Sequence, residues 1–344
     1  MRKILLSTVL GTFLLSGVVL AQESSRIMVG AVPSLPGAPI HIAIEKGYFK
    51  EYGLTVEAQP IGSSGDLAAM LAAGKLQAIS GAPSVGLFNT VDKGLPLEII
   101  MSGARSPYNQ AIMLRTELKD VVKTPADLKG RTIATNNRGS VTMYQISKVL
   151  GSGGLSLKDV TIKFMPFSQM PVALNTGAVD AAMMISPSIE VAEEKKFAIR
   201  WINPDDVIDV KPTDIALMQI NTDWAKAHPK AAYSFVLALM RARRDYCDAY
   251  HFGPNRPEIV RMMAKYTKIN DERFIDRISW TAIDPDGKVS EPSLMAIQDF
   301  FFEQGLISRK HPYSKMVNTS LIERAAKELG PYKLAHDDGR EGCR

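Results

Sequence analysis

Residues Arg131–Gly151, RTIATNNRGSVTMYQISKVLG, carry the pattern that decides the fold. Arg131 to Asn136 is short, rich in β-branched residues and bounded by polar ones, and reads as a strand. Arg138-Gly139-Ser140 then opens a helix with Met143, Ile146, Val149 and Leu150 on one face, closed by Gly151. The same grammar runs outward in both directions. Strands are expected at 26–32, 54–59, 76–80 and 97–101, then at 111–115, 160–165, 178–185 and 198–202, with helical patterns between them. Strands alternating with helices predict βαβ units, an α/β class and a largely parallel sheet. After a strand at 215–220 the pattern turns all-helical, with starts at Pro229, Pro257, Asp271, Pro292 and Asn318.

The chain has 344 residues, 46% hydrophobic and 22% charged, an ordinary globular composition. Formal net charge is 41 − 36 = +5. Residues 1–21 stand apart. Arg2 and Lys3 head an apolar run, and Val19 and Ala21 sit at −3 and −1 of a cut before Gln22. That is the form of a cleavable signal peptide, and no Cys lies near the cut to take a lipid. The expectation is a non-lipidated periplasmic protein. Its remaining charge of 5 − 2 = +3 is too mild to suggest nucleic acid. Cys247 falls in a helical pattern and Cys343 in a polar stretch. They can pair in an oxidising compartment, but the pattern reads as a core thiol and a free one.

Four turns follow an expected strand and precede an expected helix: Gly62-Ser63-Ser64, Ala82-Pro83-Ser84, Gly139-Ser140-Val141-Thr142 and Ser186-Pro187-Ser188. In an open α/β sheet such turns line one edge, where ligands bind. Helix starts there offer unpaired N–H groups and partial positive charge. Plain N-capping also accounts for any one of these serines. Arg138 beside Gly139 can supply a guanidinium for an anion, or be a solvated surface residue, and Arg105 has the same status. No phosphate-binding glycine loop, nucleophile elbow or zinc spacing occurs. His41 reads as a partly exposed helix-start histidine, and Arg241, Arg243 and Arg244 as a solvated helix face.

Residues 27–57 (IMVGAVPSLPGAPIHIAIEKGYFKEYGLTVE), 62–84 (GSSGDLAAMLAAGKLQAISGAPS), 127–160, 173–189 and 221–242 (NTDWAKAHPKAAYSFVLALMRA) together resemble the periplasmic solute-binding proteins of the nitrate/sulfonate/taurine and pyrimidine-precursor (NMT1-like) class of ABC importers. The resemblance implies a two-lobed, type II Venus-flytrap fold. Lobe one would comprise 22–105 plus 213–344, its C-terminal helices packing on it, and lobe two 106–212. The hinge would lie near 103–110 and 211–215. The implied ligand contacts are Ser34, Leu35, Ser63, Ser64, Ala82, Pro83 and Ser84 from lobe one. From lobe two they are Arg138, Gly139, Ser140, Thr142, Ile185, Ser186 and Pro187. Members often carry Asp where this chain has Gln77, a position that is usually structural.

The expected function is a receptor, likened to that class, that captures a small solute and delivers it to an ABC permease. It would act as a monomer without cofactor, metal or catalysis. A small organic anion, sulfonate or carboxylate, is the expected ligand. The alternative is an aromatic or heteroaromatic solute of the thiamine-precursor pyrimidine type, stacked by Tyr108, Tyr144, Phe164 or Phe167, although core packing also explains each ring. A pyrimidine-synthase-like enzyme is disfavoured, because such enzymes use a Cys-rich motif and this chain has none.

Overall fold

The computed structural model describes residues 25–31, 35–61, 64–106, 110–267, 269 and 271–344. Residues 1–21, Ser34, Ser63 and Tyr108 lie outside them.

Among the described residues, ten strands form two five-stranded sheets. The first contains β1 (Ser25–Ala31), β2 (Leu54–Pro60), β3 (Ala78–Gly81), β4 (Glu98–Arg105) and β10 (Asp214–Ile220), in the order β2-β1-β3-β10-β4. The second contains β5 (Gln110–Arg115), β6 (Thr132–Thr135), β7 (Thr161–Phe164), β8 (Ala181–Ile185) and β9 (Ala198–Ile202), in the order β7-β6-β8-β5-β9. Every strand expected from the sequence is present.

The expectation of largely parallel sheets needs correction. β1 is parallel to β2 and β3, and β6 to β7 and β8, but β10 and β5 run antiparallel to both of their neighbours. A parallel neighbour requires a crossover, here a helix. β5 and β10 instead arrive directly from the other sheet and so enter from the opposite end. The two crossings run side by side: the Ser106 N–H donates to Thr213 O at 2.9 Å, and the Thr213 N–H to Ser106 Oγ at 3.1 Å.

The same device ties strand to strand in each lobe. Gln77 Oε1 accepts the Met28 N–H at 2.8 Å, and Asp180 Oδ2 accepts the Thr132 N–H at 2.9 Å. Gln77 thus fills a structural post that a carboxylate fills in the second sheet.

The long helix Pro229–Tyr250 packs on Ala38–Glu45 and Ser320–Leu329, setting the C-terminal helices on lobe one. Two sequence expectations fail in these helices. Gly151 does not close its helix, which runs Val141–Ser152 and is capped by Gly153. A Cβ on Gly153 would meet the Ala126 backbone nitrogen at 2.4 Å, so close passage of the chain fixes where the glycine is needed. Arg243 is not on a solvated face: it is 1% exposed, its Nε donating to Asp284 O at 3.0 Å and its Nη1 to Gly103 O at 3.2 Å. Backbone carbonyls satisfy the buried guanidinium, a partner class that side-chain patterning does not reveal.

Candidate binding cleft

A cleft lies between the sheets, at the strand ends. Lobe one lines it with Pro36, Gly37, Ser80, Gly81, Ala82, Ile215 and Ala216, and lobe two with Gln110, Asn136, Ser140, Val141, Thr142, Gln145, Phe167 and Ile185. The free space is about 60 Å³, roughly four to six waters at about 10–15 Å³ each. The lobes are therefore nearly in contact. Ser84 and Ser140 form an antiparallel bridge, and the Val85 N–H donates to Gly139 O at 3.0 Å.

The turns expected to bind ligand divide into distinct roles. Ala82, Ser140, Thr142 and Ile185 line the cleft. Ser140 occupies the N-cap position of Val141–Ser152, yet its hydroxyl makes no capping hydrogen bond. Thr142 Oγ1 donates to Asn136 Oδ1 at 2.7 Å and lies 2.6 Å from Thr135 Oγ1, which fixes the Asn136 amide at the rim of β6. Ser84 is a plain N-cap, its Oγ accepting the Leu87 N–H at 3.3 Å. Ser186 donates to Glu190 Oε1 at 2.7 Å, within its own helix start. Leu35 and Pro83 are buried, and Leu35 belongs to the lobe-one core. Pro187, after a cis peptide bond, is half-buried outside the lining, and Ser64 begins the helix Ser64–Ala72. Gly139 meets the other lobe, not the cleft: a Cβ there would lie 3.0 Å from Val85 Cβ.

Arg138 requires a correction. It is exposed, its guanidinium 5.9 Å from the Phe164 ring, and it borders a separate groove with Met143, Leu157 and Phe300. The side chain leaves the turn on the outer side of the helix start, away from the cleft. Arg105 is also elsewhere, paired with Asp284 at 3.2 Å. Among the described residues the lining carries no charged side chain. The sequence segments 32–34, 62–63 and 107–109 add no Lys or Arg.

Of the aromatic candidates, Phe167 lines the cleft, Phe164 lies outside it, and Tyr144 is buried edge-on against Phe300 at 5.8 Å. His41 stacks on Tyr266 at 3.6 Å beside a different hollow. Burial lowers its pKa to about 4, against a smaller upward pull from Glu45.

Sequence reasoning missed Gln110 and Gln145. Both are buried in the cleft wall, and Gln145 Nε2 donates to Gln110 Oε1 at 2.7 Å. The available signal was spacing: Gln145 lies three residues after Thr142, hence on the same helix face.

Two sheets joined by paired crossings, with a cleft between them, define the two-lobed fold of the periplasmic binding proteins. The chain belongs to the NMT1/THI5-like family, whose model matches residues 37–248. It is 23% identical over 296 residues to a nitrate/nitrite binding protein NrtA of Nostoc sp., covering 77% of this chain and 63% of that one. It is 33% identical over 189 residues to the formylaminopyrimidine-binding protein of Halalkalibacterium halodurans, covering 54% of this chain and 55% of the other. The periplasmic aliphatic sulphonate binding protein SsuA of Escherichia coli superposes with a TM-score of 0.68 at 17% identity, over 87% of this chain and 99% of that one. The chain spans 63% and 61% of the length of the two nitrate/nitrite-binding relatives it matches. Among the described residues no helix is long and apolar enough to cross a membrane.

Proposed function

We propose that the protein is the solute receptor of an ABC importer, working in the periplasm after loss of residues 1–21 and handing its ligand to a membrane permease. The observation that carries this reading is a small cleft walled by both lobes and bridged by the Val85–Gly139 hydrogen bond; on this reading the paired crossings at Ser106 and Thr213 serve as its hinge. Contacts from both lobes exist only when the lobes meet, so a ligand shifts the population toward the closed form. The cleft is read as non-catalytic. Its described lining has no His, Cys, Asp, Glu, Lys or Arg with which to move a proton or attack at neutral pH.

An uncharged lining supports a compact solute held by neutral donors and acceptors, covered by Phe167, Val141, Ile185 and Ile215. A small anion is the second reading. It is supported by the start of Val141–Ser152: Ser140, Val141 and Thr142 line the cleft, the Ser140 hydroxyl makes no capping bond, and helix starts offer N–H groups and partial positive charge. Thermal-shift and calorimetric titration with nitrate, methanesulfonate, acetate, acetamide and a hydroxymethyl-pyrimidine separate the readings. Small-angle scattering on the best ligand should show a smaller radius of gyration. Absence of any binding and of any closure would sink the receptor reading.

A further inference from the structure

The cleft contains two buried polar atoms that have no partner among the described residues. Gln110 is 2% exposed and Gln145 0%. One hydrogen bond joins them, from Gln145 Nε2 to Gln110 Oε1, and among the described residues Gln110 Nε2 and Gln145 Oε1 are left without partners. Exchanging oxygen and nitrogen in both amides reverses the bond but leaves the same remainder, one donor and one acceptor. Buried polar groups in folded proteins are nearly always satisfied. Both residues line the cleft, so the missing partner is a molecule that enters it.

We propose that the ligand presents a hydrogen-bond acceptor beside a hydrogen-bond donor, as a primary carboxamide, a urea or a lactam does, and that the Gln110–Gln145 pair reads that edge. The proposal rests on the receptor reading above. The ligand carbonyl accepts from Gln110 Nε2, and the ligand N–H donates to Gln145 Oε1, closing a ring of three amides. A carboxylate, sulfonate or nitrate offers acceptors only. It would satisfy Gln110 and set a negative oxygen against the Gln145 carbonyl.

The test is titration of the full chain with acetamide, urea and 2-pyrrolidone, against acetate, methanesulfonate and nitrate. Acetamide should bind more tightly than acetate, its isostere, by about tenfold or more, as expected for one buried unpaired acceptor. Gln145→Met should remove that preference. Gln145→Glu provides a second readout. Its carboxylate takes the Gln110 amide N–H, so the pair then offers acceptors only, and preference should pass from acetamide to acetamidinium. Tighter binding of an anion, unchanged by either substitution, overturns the proposal and leaves the receptor reading standing. Binding of neither class overturns the proposal, and the receptor reading falls with it when the hydroxymethyl-pyrimidine also fails to bind and no closure is seen.

A second inference stands on different residues. Cys247, in the helix Pro229–Tyr250, and Cys343 are free thiols, 0% and 1% exposed, and both belong to the lobe-one core cluster. The irregular segment around Cys343 is held to that helix: Tyr250 Oη donates to Glu341 O at 3.2 Å, and His251 Nε2 lies 3.0 Å from Gly342 O. We infer that Cys247 and Cys343 form a disulfide when the protein meets a protein or small-molecule disulfide, the oxidant. One cysteine thiolate attacks the oxidant, forming a mixed disulfide and releasing one thiol. The second cysteine attacks that mixed disulfide, releasing the other thiol. Two S–H bonds are lost, one S–S bond forms, and the oxidant leaves as two thiols. Burial pushes the Cys247 thiol well up, so reaction requires the segment to lift before it docks.

Alkylation of denatured protein recovered from the periplasm tests it. Labelling at both cysteines only after reduction, with the unreduced protein lighter by two hydrogens, is the expected result. Labelling at both without reductant overturns the inference.

Discussion

The backbone N–H of Val85 donates to the carbonyl of Gly139 at 3.0 Å, so the start of one lobe's helix is hydrogen-bonded to the start of the other's. Gly139 makes this possible because a Cβ there already lies 3.0 Å from Val85 Cβ and 3.3 Å from Cγ2. Valine at that position cannot fit unless the lobes stay apart. Overpacking of this kind costs about 1–3 kcal/mol, and it falls only on the closed form. Gly139→Val should therefore weaken binding by roughly five- to a hundredfold, with little change in unfolding midpoint. Calorimetry and small-angle scattering check this; wild-type affinity with normal closure would remove Gly139 from the closing surface.

Arg138→Ala should behave in the opposite way. An exposed guanidinium resting on an exposed Phe164 ring is worth about 0.5–1 kcal/mol at most. Ligand affinity should fall less than about threefold, and its salt dependence should not change. A loss above about tenfold would return the guanidinium to the ligand and revive the anion reading.

The contrast between Arg138 and Gln145 explains what the sequence could reveal. Strand–helix alternation is a periodicity, and periodicity exposed all ten strands and the helix starts that border the cleft. It also puts Ser140, Thr142 and Ile185 at the sheet edge, because a residue just after a strand must lie there, and all three line the cleft. Side-chain direction is a different quantity. Arg138 turns outward onto Phe164 and the groove beside Phe300, neighbours that lie far from it in sequence. Gln110 and Gln145 were equally hidden, since each completes the other across the second lobe. Arg243 disappeared into the core for the same reason, its partners being the backbone carbonyls of Gly103 in β4 and of Asp284, both far away in sequence.

His41 gives a pH signature. Burial against Tyr266 lowers its pKa to about 4, from an ordinary value of 6.5. A folded pKa below the unfolded one gives stability that is full above pH 6.5 and lost as pH falls toward 4. His41→Phe keeps a flat ring over Tyr266 and cannot protonate. Between about pH 7.5 and 4.5 the wild type should lose about 1–2 kcal/mol more than the variant, after allowance for partial solvent screening. Denaturant unfolding at the two pH values measures the difference, and equal losses would mean that the stacked imidazole takes up its proton as it does in the unfolded chain.

Asp214 should act in the opposite sense. It begins β10, where the chain re-enters the first sheet, and it is 0% exposed. The Ser102 hydroxyl donates to its Oδ1 at 2.7 Å, and the Ser290 N–H to its Oδ2 at 2.8 Å. Burial still dominates and raises its pKa from 3.8 to about 6, against the Ser102 bond and the Arg105 charge. Stability is therefore greatest below pH 3.8 and is lost as pH rises through about 6. The protonated carboxyl keeps both of its present partners. Its O–H donates to Ser102 Oγ, whose hydroxyl turns round, and its carbonyl accepts the Ser290 N–H. Asparagine reproduces that arrangement, with Nδ2 toward Ser102 and Oδ1 toward Ser290, and it holds no charge at any pH. Asp214→Asn should thus match the wild type near pH 4 and exceed it by about 1–3 kcal/mol at pH 8, since each unit of pKa shift is worth about 1.4 kcal/mol. Unfolding curves at pH 4, 6 and 8 decide the matter: a difference that widens through pH 6 supports a carboxylate strained by burial, and parallel curves for the two proteins would show that Asp214 is as well solvated by Ser102, Ser290 and Arg105 as it is in the unfolded chain.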